Sequence, residues 1–215
     1  MRVFIFLGAP GAGKGTAAAK IAEMTGTRHV STGAMLRDAV KKGTPAGLSA
    51  KIAMDKGELV PDEILIAMIG ELFAESDKSA TFILDGFPRT VAQAEALEEL
   101  AAKHGAEIAK AINIEVPEHT LLLRLGGRRV CPACGAGFHT ETLPPKKQGV
   151  CDACQTELVI RNDDKPETIK NRLLVYADKT APLTGWYAKA GKLTSADGSG
   201  TAESAAQNIL NAMNG

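Results

Sequence analysis

The residues best placed to do chemistry lie in a glycine-rich stretch near the N-terminus, residues 8–16, which reads GAPGAGKGT. Gly8, Gly13 and Lys14 match the first part of a phosphate-binding loop, whereas the hydroxyl of Thr16 comes one place later than usual. Glycines let backbone N–H groups turn toward phosphate oxygens, and Lys14 adds a full positive charge. The stretch therefore predicts a polyphosphate site with Thr16 near a magnesium ion, and the alternative is a glycine-rich turn that binds nothing.

Four cysteines form a second candidate centre. Cys131, Cys134, Cys151 and Cys154 follow the pattern C-x2-C-x16-C-x2-C. Two such pairs supply four thiolates for a tetrahedral zinc ion, and a shell without an open position predicts a structural metal. Four free thiols or a redox pair remain alternatives, and His139 is close enough in sequence to compete as a ligand.

Arginines are the third group of interest. Arg89 directly follows a buried strand, and this end of a parallel strand is where ligands bind in open α/β sheets. Arg124 and Arg128 are four residues apart and share a face if that segment is helical. Two like charges in that arrangement repel by about 0.2–0.5 kcal/mol, which either a solvated face or a bound anion would accommodate. An incidental surface arginine is the alternative for Arg89.

No side chain is an obvious general base, and Asp85 at the end of a strand is the one strong candidate. A hydroxyl acceptor would need such a base. A phosphomonoester acceptor would not, because it is mostly dianionic at pH 7. The lack of an obvious base is thus compatible with phosphate as the acceptor, and a role of Asp85 as catalytic base is the alternative.

Composition limits the class of protein that could carry these groups. The chain has 215 residues, of which 45% are hydrophobic and 23% charged, as expected for one globular domain with small insertions. Its 25 basic and 25 acidic residues balance, which disfavours a protein that wraps nucleic acid. No apolar run reaches the length of a membrane span and no targeting signal is visible, so we expect a cytoplasmic protein with no membrane partner.

Hydrophobic patterning predicts alternating strands and helices, and hence a parallel sheet covered on both faces. Strands are predicted at residues 2–7, 28–31, 81–84, 108–115 and 192–195, and helices at 14–24, 32–42, 46–56, 62–75, 91–103, 118–125, 166–181 and 201–213. Residues 127–164 lack this alternation and contain all four cysteines, so we expect them to form a separate insertion. Asp163 and Asp164 could either pair with arginines or cap the helix that begins at Pro166, with Asp164 the candidate cap.

The GKGT loop together with the run DGFPRT at residues 85–90 resembles the adenylate kinases. STGAMLR at 31–37, GELVP at 57–61, GRR at 127–129 and the segment 161–172 extend this resemblance over almost the whole chain. It implies an α/β P-loop fold of three layers with a five-stranded parallel sheet. The core would comprise 1–30, 61–126 and 165–215, with a mobile monophosphate-binding segment at 31–60 and a mobile zinc-binding lid at 127–164.

The resemblance also implies the site residues. Those that would contact ATP are Gly11, Ala12, Gly13, Lys14, Gly15, Thr16, Arg124, Arg128, Phe138 and Gly200. Those that would contact AMP are Thr32, Arg37, Gly57, Leu59, Val60, Gly86, Arg89, Gln93, Arg161 and Arg172. Lys14, Arg89, Arg128, Arg161 and Arg172 would act on the transferred group. Mg²⁺ would accompany ATP, with Asp85 reaching it through water, and Zn²⁺ would be structural.

The implied reaction is the reversible conversion of ATP and AMP into two ADP, which balances the adenine nucleotides. A related kinase with another acceptor base or with GTP as donor is the near alternative. A zinc-ribbon ATPase that binds nucleic acid and a non-catalytic nucleotide sensor are more distant ones. Thr32 and Gln93 favour adenine only through the resemblance, and the neutral charge favours a monomer without a nucleic-acid partner.

One residue departs from the family pattern. Ala34 stands where the family usually has aspartate, in the run Ser-Thr-Gly-Asp-Met-Leu-Arg. The change removes a carboxylate from segment 31–60 but touches neither the phosphate loop nor the arginines. We therefore expect altered packing or closure and no loss of activity. Turnover that is undetectable at saturating nucleotide and restored by Ala34→Asp would contradict this.

Overall fold

The centre of the protein is a parallel five-stranded sheet, seen in a computed structural model that describes residues 1–215. Its strands are β1 (Arg2–Leu7), β2 (Arg28–Ser31), β3 (Thr81–Asp85), β4 (Glu107–Glu115) and β7 (Leu193–Asp197), in the order β2-β3-β1-β4-β7. β1 occupies the middle and pairs with β3 and β4. The order places the carboxyl ends of β1 and β3 side by side, which brings residues 8–16 next to Asp85.

Helices cover both faces of this sheet, as the alternating pattern predicts. They are α1 (Lys14–Thr25), α2 (Thr32–Lys41), α3 (Pro45–Lys56), α4 (Asp62–Ala74), α5 (Val91–His104), α6 (Glu118–Gly126), α7 (Pro166–Val175), α8 (Pro182–Lys189) and α9 (Ala202–Asn214). None of them is both long and apolar enough to cross a lipid bilayer.

The two faces of β1 explain the two hydrophobic cores. Because side chains of a strand alternate between faces, Val3 and Ile5 enter one core while Phe4 and Phe6 enter the other. The first core also receives Leu65, Ile69 and Phe73 from α4 and Leu97 from α5. The second receives Ile21 from α1 and Ile209 and Met213 from α9. The sheet is therefore fixed on both faces, which holds the ends of its strands still.

The cysteine-bearing insertion forms a small unit of its own. β5 (Arg128–Val130) and β6 (Gly137–His139) pair antiparallel, and Val130 also bridges to Val159. Its small core consists of Cys131, Cys151 and Leu158. The sheet of β5 and β6 is distinct from the five-stranded sheet.

Two sequence predictions need correction, and the other element ends agree to within one or two residues. The helix predicted at 166–181 ends at Val175, passes through a π-helical turn at Tyr176–Thr180 and resumes as α8 at Pro182. Proline has no N–H to donate and therefore starts a new helix. Arg128 lies in β5, beyond the end of α6, so it does not share a helical face with Arg124.

Candidate active site

The glycine-rich loop joins the end of β1 to the start of α1 and lies against α6. Gly11 has a φ of 88°, and a Cβ at this position would come within 2.8 Å of the Leu121 carbonyl oxygen. Gly8, with a φ of 138°, would meet the Ile114 carbonyl oxygen at 2.7 Å in the same way. Only glycine permits this backbone path, and α1 directs its positive N-terminal end toward the loop.

Lys14 begins α1 and points back into the loop. Its Nζ donates to the carbonyl oxygens of Gly8 at 2.7 Å and Ala9 at 3.0 Å. These two bonds anchor the ammonium beside the loop that surrounds it. Lys14 therefore holds its positive charge within the loop.

The ammonium group of Lys14 is buried among charged side chains. Burial lowers this pKa to about 8; the Asp85 carboxylate opposes the shift, while Arg89, Arg172 and Arg128 contribute to it. Arginines from β5, α7 and the loop after β3 thus act on one ammonium group. So many cations in one place favour binding of a polyanion.

This shift predicts how nucleotide affinity depends on pH. Above pH 8 the free protein loses the Lys14 proton, whereas a bound phosphate keeps Lys14 protonated, so we expect ATP affinity to fall by about 16-fold between pH 8 and 9.5. Calorimetric titration with ATP at each pH measures the affinity. A Lys14→Met variant has no ammonium group at this position, so it should bind ATP weakly and with an affinity that does not fall over this pH range. A wild-type affinity that stays constant to pH 9.5 would contradict the expectation.

Arg89, Gly86 and Thr32 come together at the end of β3. Arg89 Nε donates to the Gly86 carbonyl oxygen at 2.9 Å, and burial lowers the pKa of Arg89. A Cβ at Gly86 would lie 2.8 Å from Thr32 Oγ1 and 3.3 Å from Arg89 Nη2. Thr32 is buried and donates to the Asp85 carbonyl oxygen at 3.2 Å. The predicted acceptor-site residues of α2 and of the β3–α5 loop are thus neighbours.

Arg161 is the least satisfied cation of the site. Burial lowers its pKa to about 10, and repulsion from Arg37 and Arg128 adds to this. Its Nε is buried and has no hydrogen-bond partner. A buried guanidinium N–H without a partner is costly unless an anion accepts from it. The position of Arg161 therefore suits contact with a phosphate group.

Asp164 joins two of the predicted arginines. The Arg128 guanidinium donates to both of its oxygens, at 2.7 and 2.5 Å, and Arg172 Nη1 donates at 2.8 Å. The Asp164 side chain is completely buried, while Arg172 Nη1 lies 3.1 Å from Asp163 Oδ2 and donates to the Asp163 carbonyl oxygen at 2.9 Å. The expectation that Asp164 caps helix α7 is wrong, because Lys165 occupies that position and no side chain caps it.

Arg124 connects the glycine-rich loop with the loop before α9. Its Nη1 donates to the carbonyl oxygens of Ala12 at 3.3 Å and Gly198 at 3.0 Å, and its Nη2 donates to that of Gly200 at 3.3 Å. Phe138 lies on β6 and packs against the small core of the insertion. Arg124 and Gly200, but not Phe138, are therefore held directly beside the phosphate loop by hydrogen bonds.

Other residues predicted to contact the acceptor lie between α3 and α4 and on α5. A Cβ at Gly57 would come within 2.8 Å of Arg172 Cγ. Val60 is buried in the first core and Leu59 is half-buried. Gln93, which in isolation reads as a helix-surface residue, is fully buried.

The cysteine cluster has the geometry of a zinc site. All four Sγ atoms lie within 4.8 Å of one another. A tetrahedral ion with Zn–S bonds of about 2.3 Å needs sulfur atoms about 3.8 Å apart, and the Cys134 and Cys151 sulfurs are separated by 3.6 Å. His139 Nδ1 instead accepts from the N–H groups of Glu141 and Thr142. The four thiolates therefore fit zinc without His139.

Comparison with known proteins identifies the family. The adenylate kinase family model matches residues 6–192. The adenylate kinase of Carboxydothermus hydrogenoformans is 53% identical, over 97% of this chain and 98% of that protein. The chain belongs to the adenylate kinase family. The adenylate kinases of Lachnospira eligens and of Geobacter sp. strain M21 are both 50% identical, the former over 90% of this chain and 91% of that protein, the latter over 97% and 98%.

Membership of the adenylate kinase family assigns the chemistry. Adenylate kinases are nucleoside monophosphate kinases that use Mg²⁺ with ATP, and the reaction is ATP + AMP = 2 ADP. The predicted family, fold class and activity are therefore confirmed. Zinc is so far indicated only by the cluster of four thiols.

Asp85 lies at the end of β3, beside the phosphate loop. A Cβ at Gly15 would lie 3.1 Å from its Oδ2. Burial by itself would raise the pKa of Asp85, but the His29 imidazole, whose Nε2 lies 3.5 Å from Oδ2, and the charge of Lys14 hold it below its usual value. An ionised carboxylate beside the phosphate loop fits a hydrated magnesium ion bound to phosphates.

Sequence reasoning missed one contact in this site and left another open. It considered Asp163 and Asp164 either as arginine partners or as a helix cap, and the structure shows that they are partners. Asp62 was not singled out, yet its Oδ1 accepts from Gln93 Nε2 at 2.6 Å. An acidic residue in the first turn of a helix is common, so its sequence context carried no signal of this bond.

Proposed function

We propose that Lys14, Arg89, Arg128, Arg161 and Arg172 hold ATP and AMP end to end and stabilise the phosphoryl group during transfer. The observation that carries this proposal is the cationic cluster around Lys14, whose pKa is lowered to about 8. An AMP phosphate oxygen attacks the γ-phosphorus of ATP, and the bond to the β–γ bridging oxygen breaks. The electron pair leaves with ADP, so no proton has to be removed and no general base is required.

The donor site would be built around the phosphate loop. Gly11, Ala12, Gly13, Lys14, Gly15 and Thr16 would surround the phosphates, and Arg124, Arg128, Phe138 and Gly200 would complete the ATP contacts. The three hydrogen bonds of Arg124 to the loops on either side support its place here. Asp85 would orient the hydration shell of magnesium, which supplies positive charge at the phosphates.

The acceptor site would occupy the opposite side of Arg89. Arg37 and Arg89 would grip the AMP phosphate, with Arg161 and Arg172 between the two nucleotides. Thr32, Gly57, Leu59, Val60, Gly86 and Gln93 would surround the nucleoside. The proximity of Thr32, Gly86 and Arg89 supports this arrangement. Arginine suits these positions because its planar fork holds two phosphate oxygens at once.

The division into a core and two mobile parts is also a proposal. Segment 31–60 and lid 127–164 would close over the nucleotides, with Gly126 and Gly127 as a hinge, and exclude water from the γ-phosphate. Lys41 Nζ donates to the Ala133 carbonyl oxygen at 3.1 Å, and Asn162 Nδ2 donates to Asp55 at 3.3 Å. These contacts between the two parts support a closed arrangement in this conformation.

A substrate panel tests the proposal. Purified protein is incubated with MgATP and AMP, UMP, CMP or GMP, and ADP formation is followed by a coupled assay. We expect AMP to give the highest kcat/KM, and Arg89→Leu to lower that value by at least about a hundredfold. A faster reaction with another monophosphate would contradict the acceptor assignment, and ATP hydrolysis stimulated by DNA or RNA would support the nucleic-acid alternative.

Zinc would stabilise the lid without entering the reaction. An insertion with a core of three buried residues has little apolar surface to order it, so the metal would supply much of its stability. We expect Cys151→Ser to remove the metal and lower the unfolding temperature by several degrees, with one zinc per chain in the wild type by metal analysis. A wild type with four freely titrating thiols and no metal would contradict this, and His139→Ala is the control that should retain zinc.

We further propose a monomeric, cytoplasmic enzyme that acts without nucleic acid or membrane. The balanced charge supports the lack of a nucleic-acid partner. Four thiols without a disulfide are consistent with a reducing compartment. Light scattering tests the oligomeric state, and a measured mass of about twice 22.5 kDa would contradict it.

A further inference from the structure

The carboxamide of Gln93 is held in one orientation by its two partners. Its Oε1 accepts from the main-chain N–H of Arg89 at 2.7 Å, and its Nε2 donates to Asp62 Oδ1 at 2.6 Å. A main-chain N–H can only donate and a carboxylate can only accept. If the amide were turned over, its NH₂ group would face the Arg89 N–H, which is also a donor. Its oxygen would then face the Asp62 carboxylate, which is also an acceptor. The places of its nitrogen and oxygen are therefore fixed.

Half of the hydrogen-bonding capacity of this amide remains unused. A carboxamide has two N–H donors and an oxygen with two lone pairs, and Gln93 uses one of each toward Arg89 and Asp62. Its side chain has no exposed surface, so solvent does not reach the second N–H or the second lone pair. Buried polar groups are normally paired. The unused donor and acceptor suit a ligand edge that offers an acceptor beside a donor.

Purines differ in the order of these groups along one edge. A 6-aminopurine presents a donating amino group beside the accepting N1, whereas a 6-oxopurine presents an accepting oxygen beside a donating N1–H. A glutamine that turns freely can match either edge. A glutamine fixed in one orientation can pair with one edge and opposes the other, since a mismatch places donor against donor.

We propose that Asp62 determines base specificity at the acceptor site by holding the Gln93 amide in the orientation that pairs with a 6-aminopurine. This inference rests on the assignment of Gln93 to the acceptor base in the proposed function. Asp62 is the first residue of α4 and lies two residues after the end of segment 31–60. It acts through Gln93 and is a positioning residue. Because Gln93 is buried in this conformation, the base reaches it only after the residues that cover it have moved.

The test compares AMP with inosine 5′-monophosphate, its 6-oxo counterpart, as acceptor for MgATP. We expect Asp62→Ala to reduce the ratio of kcat/KM for AMP to that for inosine 5′-monophosphate by about tenfold. The reduction should be partial, because the Arg89 N–H still favours one orientation. Glu63→Ala is the matched control: it removes the neighbouring carboxylate of the same helix turn, which is exposed, and should leave the ratio unchanged.

Two further measurements separate specificity from folding. Asp62→Asn can still accept from Gln93 through its Oδ1 and should retain most of the ratio, which a purely electrostatic role of the carboxylate would not allow. Unfolding temperatures of all variants are compared. An unchanged ratio in Asp62→Ala would overturn the proposal, and so would an equal fall of kcat/KM for both acceptors, since that indicates a structural role only.

A Gln93→Leu variant distinguishes failure of this inference from failure of the proposed function. If Gln93→Leu changes the ratio and Asp62→Ala does not, only the role of Asp62 is wrong. If neither variant changes it, Gln93 does not contact the base, and both the inference and that assignment are wrong. If the wild type forms no ADP from ATP and AMP, the proposed function itself fails.

Discussion

A Lys14→Met variant is expected to lower kcat/KM for ADP formation by about a thousandfold. Methionine has a similar length but no charge, so the change removes one cation from the transferred group and two hydrogen bonds to the Gly8 and Ala9 carbonyl oxygens. Loss of one preorganised stabilising group in an enclosed site typically costs two to three orders of magnitude. Coupled-assay kinetics with MgATP and AMP measure the effect.

Lys20 on the same helix provides the matched control. It pairs with Glu203 at 2.6 Å and lies away from the phosphate loop. Lys20→Met therefore removes the same charge from α1 and should leave kcat/KM within about threefold of the wild type, because surface ion pairs contribute little. Equal losses in the two variants would mean that Lys14 acts through the stability of α1 and not on the nucleotide.

Removal of the Asp164 side chain is the second large effect. We expect Asp164→Ala to lower the free energy of unfolding by about 3 kcal/mol, because it leaves Arg128 and Arg172 partly buried without their shared carboxylate. The same change releases both arginines from the positions that the proposed mechanism gives them, so kcat/KM should also fall. Urea denaturation followed by circular dichroism measures the stability.

Asp178→Ala serves as the control for this effect. Asp178 pairs with Lys179, and the two side chains are 70% and 59% exposed, so its loss should leave the unfolding transition unchanged. A loss of less than about 1 kcal/mol in Asp164→Ala would mean that water replaces the carboxylate readily, and that the Arg128–Asp164–Arg172 arrangement is not a rigid part of the fold.

Local patterns allowed most of the fold to be predicted. The continuous apolar run at residues 3–7 indicated a buried strand, and Pro166 marked the start of α7. The loop around Lys14 and the four cysteines could be found because each of these sites is encoded by residues close together in the sequence. The resemblance to adenylate kinases then supplied residues, such as Thr32 and Gln93, that no local pattern indicated.

Contacts between distant segments could not be predicted in this way. The bond between Arg128 and Asp164 joins residues 36 apart, and that between Asp62 and Gln93 joins residues 31 apart. An isolated aspartate is compatible with capping, pairing or solvent exposure, and tertiary packing alone decides among these. The π-helical turn before Pro182 could not be predicted either. The proline fixes where α8 starts, but the form of the preceding turn depends on how α7 and α8 pack.

The confinement of all four cysteines to 24 residues of the insertion has a consequence for oxidative damage. The sheet, its covering helices and the phosphate loop contain no sulfur that can form a disulfide or a sulfenic acid. Oxidation of thiols therefore begins in the insertion, at the exposed Cys134 and Cys154. Peroxide treatment would oxidise thiols in this part of the chain, while the remainder of the fold contains no thiol that could react.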